Sequence, residues 1–315
     1  MDVRTAVEVL QRGGLVALPT ETVYGLGADA SNELAVRRIF AAKGRPSAHP
    51  LIVHVASADA ARAWVREWPG AAAALATQFW PGPLTLILKR SERASDAVTG
   101  GQDTVAVRVP NHPLALELLR AFEGGIAAPS ANKFGHLSPT TAEHVRAELG
   151  DAVDLILDGG PCAVGVESTI VDLSSGAPRL LRPGGISKEQ LELSLGQPVL
   201  PPSQGVRAPG MLESHYAPRA GLRLVGPADL SAAAAEQAKS GAKVAVLSAA
   251  PLTLPAGAER IEVPAAPADY ARVLYATLRA LDARGFEVVV AALPEEAGLG
   301  LAVRDRLTRA AGPRG

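Results

Sequence analysis

Apolar runs and polar turns alternate along the chain up to about residue 195. Short apolar runs flanked by turn residues predict buried strands at GLVALPT, PLIVHV, LTLILK, TVAVRVP, GIAAPSAN, VDLILDGG, STIVDLS and PRLLRPG. Apolar residues at helical spacing predict a helix that starts after Ser31 as its N-cap and ends at Gly44, with further helices after Ser57 and over 113–122 and 141–149. Because several strands follow one another directly, a twisted mixed sheet fits better than a strictly parallel one.

The pattern changes in QPVLPPSQGVRAPGMLESHYAPRAG, residues 197–221, which is rich in Pro, Gly and Ser and predicts a linker. Beyond it, GLRLV, KVAVLS, ERIEVP and FEVVVAAL predict strands, and helices are expected near 228–240, 267–284 and 298–311. We therefore predict an α/β catalytic domain over 1–200, a linker over 201–221 and a small Rossmann-like domain over 222–315. No GxGxxG follows the first strand of that domain, so its fold alone assigns no cofactor.

Composition narrows the function classes. The chain has 315 residues, 48% of them hydrophobic and 20% charged, and a formal net charge of −1, so no global field attracts nucleic acid or membrane. The one cysteine, Cys162, excludes an internal disulfide and a zinc site built from several thiolates. The start MDVRTAVEVLQRGG predicts an amphipathic helix, not a signal peptide, and no apolar run reaches the ~20 residues of a membrane span. We expect a cytoplasmic protein.

The stretch KGRPSAHPLIVHV concentrates groups that can carry positive charge: Lys43, Arg45, His49 and His54. Two prolines stiffen it, so the cationic groups are held in place, as a polyphosphate requires. The alternatives are cations that complement the end of a helix and, for His54, a structural histidine.

Two further stretches carry polar residues in apolar surroundings. In LPTETVYGLGADA, Thr20, Glu21 and Thr22 follow a strand, where they form either an ordinary turn or the edge of a ligand site. Arg108 lies inside the apolar strand TVAVRVP, so it faces solvent at a sheet edge, finds a partner or lines a pocket.

The loop PSANKFGHLSPTTAEH supplies Ser130, Asn132 and Ser138, which form either a hydrophilic loop that caps the next helix or neutral donors and acceptors for phosphate or base edges. Farther along, strand ends beside turns, where ligands commonly bind, carry Glu167, Ser168, Thr169 and Arg182. The chain contains no GxxxxGK[ST], HExxH or GxSxG, and Cys162 has no visible base partner. Together the motifs predict an anion-holding pocket in the first domain without a nucleophile.

The blocks LPTETVYGLGADA, KGRPSAHPLIVHV, WPGPLTLIL, VAVRVPNHP, APSAN, SPTTAEHV, GVESTIVDL and LLRPGGIS resemble the YrdC-type threonylcarbamoyl-AMP synthases over about residues 5–195. The Lys-x-Arg and Ser-x-Asn signature of that family corresponds to Lys43, Arg45, Ser130 and Asn132. APGMLESHYAP resembles the connecting segment of the longer, two-domain form, although Ser214 stands where some relatives carry a basic residue.

The resemblance implies a YrdC-type domain with a concave, positively charged face, and a reaction in which L-threonine, bicarbonate and ATP give threonylcarbamoyl-AMP and pyrophosphate. It implies that threonine is held by Thr22, His54, Arg108, Ala128 and Ser168. It implies nucleotide contacts from Arg45, His49, Thr104, Ser130, Asn132, Ser138, Arg182 and Tyr216, and a part in the chemistry for Lys43 and Arg45.

The same resemblance implies partners. Mg²⁺ accompanies ATP, with no metal ligand assigned in the protein, and a transferase moves the threonylcarbamoyl group to the adenosine beside the anticodon of tRNA. Weak RNA contact fits this role, and membrane contact does not.

Two alternatives share the domain: a carbamoyltransferase of the hydrogenase-maturation type and a non-catalytic RNA-binding module. The single cysteine opposes the first, whose members carry zinc-finger cysteines. Balanced charge without Lys/Arg runs opposes strong autonomous RNA binding.

Overall fold

The computed structural model describes residues 2–203, 205–211 and 216–313. The chain forms two compact units, Met1–Phe134 with Ser138–Met211, and Gly135–Leu137 with Leu212–Gly315. The domain limits 1–200, 201–221 and 222–315 stay a prediction. Residues 205–211, which the sequence places in the linker, pack with the first unit.

The first unit contains eight helices and nine strands among its described residues. In chain order they are α1 (Val3–Gln11), β1 (Val16–Leu18), β2 (Gly25–Asp29), α2 (Glu33–Lys43), β3 (Ile52–His54), α3 (Ala58–Arg62), α4 (Gly70–Phe79), β4 (Leu84–Lys89), α5 (Asp96–Thr99), β5 (Thr104–Arg108), α6 (Pro113–Phe122), β6 (Ile126–Ala127), α7 (Ala142–Leu149), β7 (Leu155–Ile156), β8 (Thr169–Asp172), β9 (Arg179–Arg182) and α8 (Lys188–Leu195).

These strands form one mixed sheet in the order β7-β1-β2-β6-β3-β5-β4-β8-β9. The pairs β1–β7, β3–β5 and β4–β8 are parallel, and the other neighbouring pairs are antiparallel. The predicted mixed sheet is therefore confirmed. Strand β5 lies between β3 and β4, so Arg108 is not at an edge of the sheet.

Local signals explain most helix ends. Helix α6 begins at Pro113, whose missing N–H costs nothing at this position, and Gly44 ends α2 with φ 60°. The predicted N-cap of α2 is wrong by one residue: Asn32, not Ser31, accepts from the backbone N–H groups of the first turn. The backbone N–H of Ser31 instead donates to the Asp29 side chain in a turn of its own.

Strand β2 contains GLGAD, a stretch that the apolar pattern does not assign to a strand. It pairs antiparallel with β1, and Gly27 packs so tightly that a Cβ would lie 2.8 Å from side-chain carbons of Ile126 and Leu18. Glycine is needed here for close packing, not for a positive φ.

The second unit is a small α/β domain. Its elements are β10 (Gly221–Val225), α9 (Leu230–Ala238), β11 (Val244–Ser248), β12 (Ala258–Glu262), α10 (Pro267–Ala283), β13 (Val288–Ala292) and α11 (Gly300–Ala310). The strands form a parallel sheet in the order β10-β13-β11-β12, which confirms the predicted Rossmann-like fold. None of the described helices, in either unit, is long and apolar enough to cross a membrane.

Candidate functional site

One face of the large sheet carries the residues that are predicted to bind threonine. Side chains two apart on a strand share a face, so Thr104 and Arg108 of β5 lie on the same side as Ala106. Ala106 packs with apolar residues of the neighbouring strands, among them Ile52 of β3. His54 is the residue opposite Arg108 in the β3–β5 register, and its side chain follows Ile52 on this face. The face thus has an apolar floor, with polar groups at the ends of β3 and β5.

Arg108 is held by three partners at the end of β5. Its Nη2 lies 2.7 Å from Oε1 of Glu21, Nη1 donates to Oγ1 of Thr22 at 3.0 Å, and Nε donates to the Gly82 carbonyl at 3.3 Å. Since a guanidinium has five N–H donors, two have no partner among the described residues. The prediction that Arg108 finds a partner is confirmed, and its remaining donors can bind a carboxylate.

The imidazole of His54 is buried next to this guanidinium, with 3% of its surface exposed. Burial and then the charge of Arg108 lower the pKa of His54 to about 3. Its Nδ1 has no hydrogen-bond partner among the described residues. His54 is therefore neutral at pH 7 and offers a polar ring atom inside the site.

A second guanidinium, that of Arg182, is tied to Ser168 at the other side of the same face. Nε and Nη2 of Arg182 donate to the Ser168 carbonyl at 3.0 and 2.9 Å, and Nη2 donates to its Oγ at 3.0 Å. The Ser168 hydroxyl also lies 2.8 Å from Oγ1 of Thr85 on β4. Nη1 of Arg182 donates to the carbonyl of Pro209 at 3.1 Å. Ser168, which is predicted to bind threonine, and Arg182, which is predicted to bind the nucleotide, are thus in direct contact.

The two halves of the Lys-x-Arg and Ser-x-Asn signature meet at the end of α2. Nζ of Lys43 donates to the Ser130 carbonyl at 2.6 Å and also to the Asn132 carbonyl. Burial and then the positive charge of Arg45 lower the pKa of Lys43 well below its usual range. The side chain of Lys43 therefore connects the end of α2 with two residues that lie 87 and 89 positions farther along the chain.

Arg45 and His49 belong to the loop that follows α2. Nη2 of Arg45 donates to the Pro50 carbonyl at 3.0 Å, and the ring of His49 lies edge-on to Phe134 with centroids 5.4 Å apart. Burial, then Arg45, then Arg207 lower the pKa of His49. Thr104 begins β5, so it lies four residues, about 13 Å at ~3.3 Å per residue, from Arg108. Two of the predicted residues, Thr104 and Arg108, thus stand at opposite ends of β5 on the same sheet face.

The remaining predicted residues of the first unit are also buried. The Ser138 hydroxyl donates to Oε1 of Glu167 at 2.5 Å. The backbone N–H of Ala128 donates to the Ile52 carbonyl at 3.0 Å, and its side chain is 5% exposed.

Tyr216 belongs to the second unit. There it is 2% exposed, with its ring centroid 5.8 Å from that of Tyr275 and 5.0 Å from the guanidinium carbon of Arg306. Its assignment to the nucleotide stays a prediction. Ser214 lies outside the described residues.

Some contacts could not be anticipated from the sequence patterns. Glu21 is noticed there only as a polar turn residue, yet it binds Arg108 and also accepts from the Asn111 backbone N–H at 2.9 Å. Thr85 is a single polar residue in an apolar strand, and this sequence feature is the one that points to a polar contact such as that with Ser168. Cys162 is buried, and burial followed by the charge of Glu21 raises its pKa to about 12. This supports the exclusion of a thiol nucleophile.

A cavity of about 320 Å³ involves other residues of the first unit. Trp68, Trp80 and Pro81 contribute to its walls, and none of the predicted site residues lines it. The guanidinium of Arg62 at its rim lies 4.8 Å from the Trp68 ring and 3.7 Å from Asp59. Because the walls are mainly apolar, the sheet face with Arg108 and Arg182 is the better anion site.

Comparisons with known proteins show the family to which the chain belongs. A family model described as "Telomere recombination", covering the Sua5, YciO and YrdC proteins, matches residues 8–184, and one described as "Threonylcarbamoyl-AMP synthase, C-terminal domain" matches residues 186–312. Threonylcarbamoyl-AMP synthase of Pyrococcus abyssi is 44% identical over 99% of this chain and 94% of the relative. The enzyme of the same name from Bacillus subtilis is 41% identical over 98% of this chain and 92% of the relative.

A solved structure also covers nearly the whole chain. The crystal structure of Pyrococcus abyssi Sua5 complexed with L-threonine matches with a TM-score of 0.92 and 43% identity, over 98% of this chain and 94% of that one. The matches include the C-terminal domain, which confirms the resemblance to the two-domain form. The chain therefore belongs to the YrdC-type family of threonylcarbamoyl-AMP synthases.

Proposed function

We propose that the polar face of the large sheet makes threonylcarbamoyl-AMP and pyrophosphate from L-threonine, bicarbonate and ATP. The observation that carries this proposal is the pair of buried guanidinium groups, Arg108 on β5 and Arg182 on β9, which lie on one sheet with β4 and β8 between them. Groups that can bind anions are gathered there. This arrangement suits a reaction between two anionic substrates.

Threonine would bind at the ends of β3 and β5. The two remaining donors of Arg108 would pair with the α-carboxylate in the bidentate geometry that arginine favours. Thr22 and Ser168 offer hydroxyls, and neutral His54 offers a ring nitrogen, for the amine and side-chain hydroxyl of threonine. The buried methyl of Ala128 would contact the methyl group that distinguishes threonine from serine, a difference of about 1–3 kcal/mol.

ATP would extend from this point towards the loop after α2. Lys43 and Arg45 would bind the phosphates, with Ser130 and Asn132 positioned by their contact with Lys43. The remaining nucleotide contacts would come from His49, Thr104, Ser138, Arg182 and Tyr216. Burial first, and then the charge of Arg45, depress the pKa of Lys43, and an anion placed beside both groups would counteract this depression.

The chemistry needs no covalent attachment to the protein. The neutral threonine amine condenses with bicarbonate, through the CO₂ in equilibrium with it, so a C–N bond forms, water leaves and an N-carboxylate results. A carboxylate oxygen then attacks the α-phosphorus of ATP, a new O–P bond forms, and the bond to the pyrophosphate oxygen breaks. The protein aligns the two anions and neutralises the charge that builds up on the phosphates, which are the roles of Lys43, Arg45 and Arg182.

Mg²⁺ would enter with ATP. The carboxylates of the site, Glu21 and Glu167, already bind Arg108 and Ser138, and the described residues contain no cluster of three or more His, Cys, Asp or Glu side chains placed to hold a metal. Phosphate oxygens are therefore the proposed ligands, with the protein cations nearby. Bound there, the ion would neutralise phosphate charge.

The product would be consumed by a transferase that carries the threonylcarbamoyl group to a tRNA adenosine. Because the product is a labile mixed anhydride, it has to be passed to an acceptor soon after it forms. The proposal therefore includes this transferase partner, and it also includes a weak RNA contact and a cytoplasmic location.

The test is pyrophosphate release by the full chain, which should require both threonine and bicarbonate. Lys43→Ala and Arg45→Ala should each lose more than about tenfold in rate while melting temperature and circular dichroism show a folded protein. The control is Lys188→Ala, because the partly exposed ammonium of Lys188 forms a surface ion pair with Glu192 on the next turn of α8. The proposal would be contradicted if either folded variant released pyrophosphate at the normal rate, or if the wild type released pyrophosphate equally fast without threonine.

A further inference from the structure

The segment of residues 205–211, here called the strap, lies on the same sheet face as the site. The side chain of Gln102 binds the backbone of Arg207 twice: it accepts from the Arg207 N–H at 2.7 Å and donates to the Arg207 carbonyl at 3.1 Å. Ala208 of the strap packs on the apolar floor formed by residues such as Ile52 and Ala106, with Val206 and Met211 beside it. The strap is therefore fixed within the first unit.

This attachment places the side chain of Arg207 beside the loop that follows α2. Its Nη2 donates to the Gly100 carbonyl at 2.9 Å. Gly100 lies directly against that loop, because a Cβ on Gly100 would be 2.4 Å from the carbonyl oxygen of Ala48. His49 follows Ala48, so Arg207 lies at the corner that holds the loop's cationic groups.

The charge at this corner has a consistent sign. Arg45 and Arg207 both depress the pKa of His49 by their positive charge, after burial as the first cause. Arg207 is exposed, and it pairs with no carboxylate among the residues that the structure describes. Segments some 160 positions apart in sequence thus bring positive charge to one place, which attracts an anion.

We propose that Arg207 is a further phosphate-binding residue, which the strap delivers to the triphosphate chain of ATP and to the pyrophosphate product. This inference rests on the proposed function for the position of ATP. Four of the five guanidinium N–H groups are available, because only the bond to Gly100 is made among the described residues. A guanidinium suits this role because its donors match phosphate oxygens in pairs.

The decisive variants separate charge from anchoring. Arg207→Gln keeps a polar amide but removes the charge, and Arg207→Lys keeps the charge. The matched control is Arg179→Gln: Nη1 of Arg179 likewise donates to a carbonyl outside its own strand, that of Pro201 at 3.0 Å. Each full-length variant is measured for KM of ATP, KM of threonine and the affinity for pyrophosphate by calorimetry.

Arg207→Gln should raise the KM of ATP and weaken pyrophosphate binding about tenfold, as expected for loss of one charge-assisted contact. The KM of threonine should change less than twofold, Arg207→Lys should recover most of the affinity, and Arg179→Gln should match the wild type. Increasing salt should reduce the difference between Arg207→Gln and the wild type in the KM of ATP and in the affinity for pyrophosphate.

The inference is wrong if Arg207→Gln binds ATP and pyrophosphate like an active wild type, an outcome that leaves the proposed function intact. It is also wrong if the Gln and Lys variants lose affinity equally, because Arg207 would then only anchor the strap. A wild type that releases no pyrophosphate with threonine would contradict the proposed function, and pyrophosphate calorimetry would still test Arg207.

Discussion

Arg108 and Glu21 form a buried ion pair, with 2.7 Å between Nη2 and Oε1 and side chains that are only 4% and 9% exposed. The carboxylate also accepts from the Asn111 backbone, so it fixes both the guanidinium and the loop after β5. Buried pairs stabilise folds weakly compared with apolar packing, but the loss of one partner leaves a costly unpaired charge. The value of Glu21 therefore lies in orienting Arg108 for a substrate carboxylate.

Replacing Glu21 by Gln should damage threonine binding more than ATP binding. The amide keeps the shape but not the charge, so Arg108 loses its counterion and its fixed orientation. We expect the KM of threonine to rise about tenfold and the free energy of unfolding to fall by about 3 kcal/mol. Steady-state kinetics and urea denaturation measure both. Glu143→Gln, at an exposed pair with Arg146, is the control and should change stability by less than about 1 kcal/mol. Equal effects on both substrates would contradict an orienting role.

His54 should make the fold sensitive to acid. Its pKa is lowered from 6.5 to about 3 in the folded protein. Between these two pH values, the imidazole is therefore protonated in the unfolded chain and neutral in the folded protein. The free energy of unfolding should therefore fall as pH drops from 6.5 towards 3, by up to about 1.4 kcal/mol per pH unit from this residue. His54→Gln should flatten that slope in chemical denaturation at pH 7, 5 and 4. Parallel curves for variant and wild type would contradict the assignment.

ATP binding should be accompanied by proton uptake. Burial and Arg45 depress the pKa of Lys43, and burial, Arg45 and Arg207 depress that of His49. A triphosphate placed beside them raises both pKa values, so these groups take up protons when ATP binds. Calorimetry in two buffers with different ionisation enthalpies gives the number of protons. Lys43→Arg should reduce it, because a guanidinium is protonated in both states. Zero uptake or proton release by the wild type would argue against phosphates at this position.

Elements set by neighbouring residues were accessible from the sequence. Pro113 and the apolar spacing behind it predict the helix over 113–122, and α6 has these bounds. The N-cap at Ser57 is confirmed, since its hydroxyl accepts from the Ala60 N–H. Such features need only contacts within one or two turns, and the local pattern contains them.

Features set by distant contacts were only partly accessible. The cationic stretch and the isolated Arg108 pointed to a pocket, but the Glu21 partner lies 87 positions away and no local rule selects it. The apolar pattern assigns no strand to GLGAD, because glycine is rare in strands, whereas close packing on β1 requires it there. The strap shows the same limit, since composition predicted a linker and tertiary packing attaches residues 205–211 to the sheet.

The burial of Cys162 has a practical consequence for fluorescence experiments. The chain has one cysteine, and the high pKa of its thiol keeps it protonated and slow to react with maleimides. A reporter thiol introduced on an exposed surface would therefore carry the dye by itself, without first removing the native one. Ligand-dependent changes in emission from such a dye could then be assigned to a single chosen position.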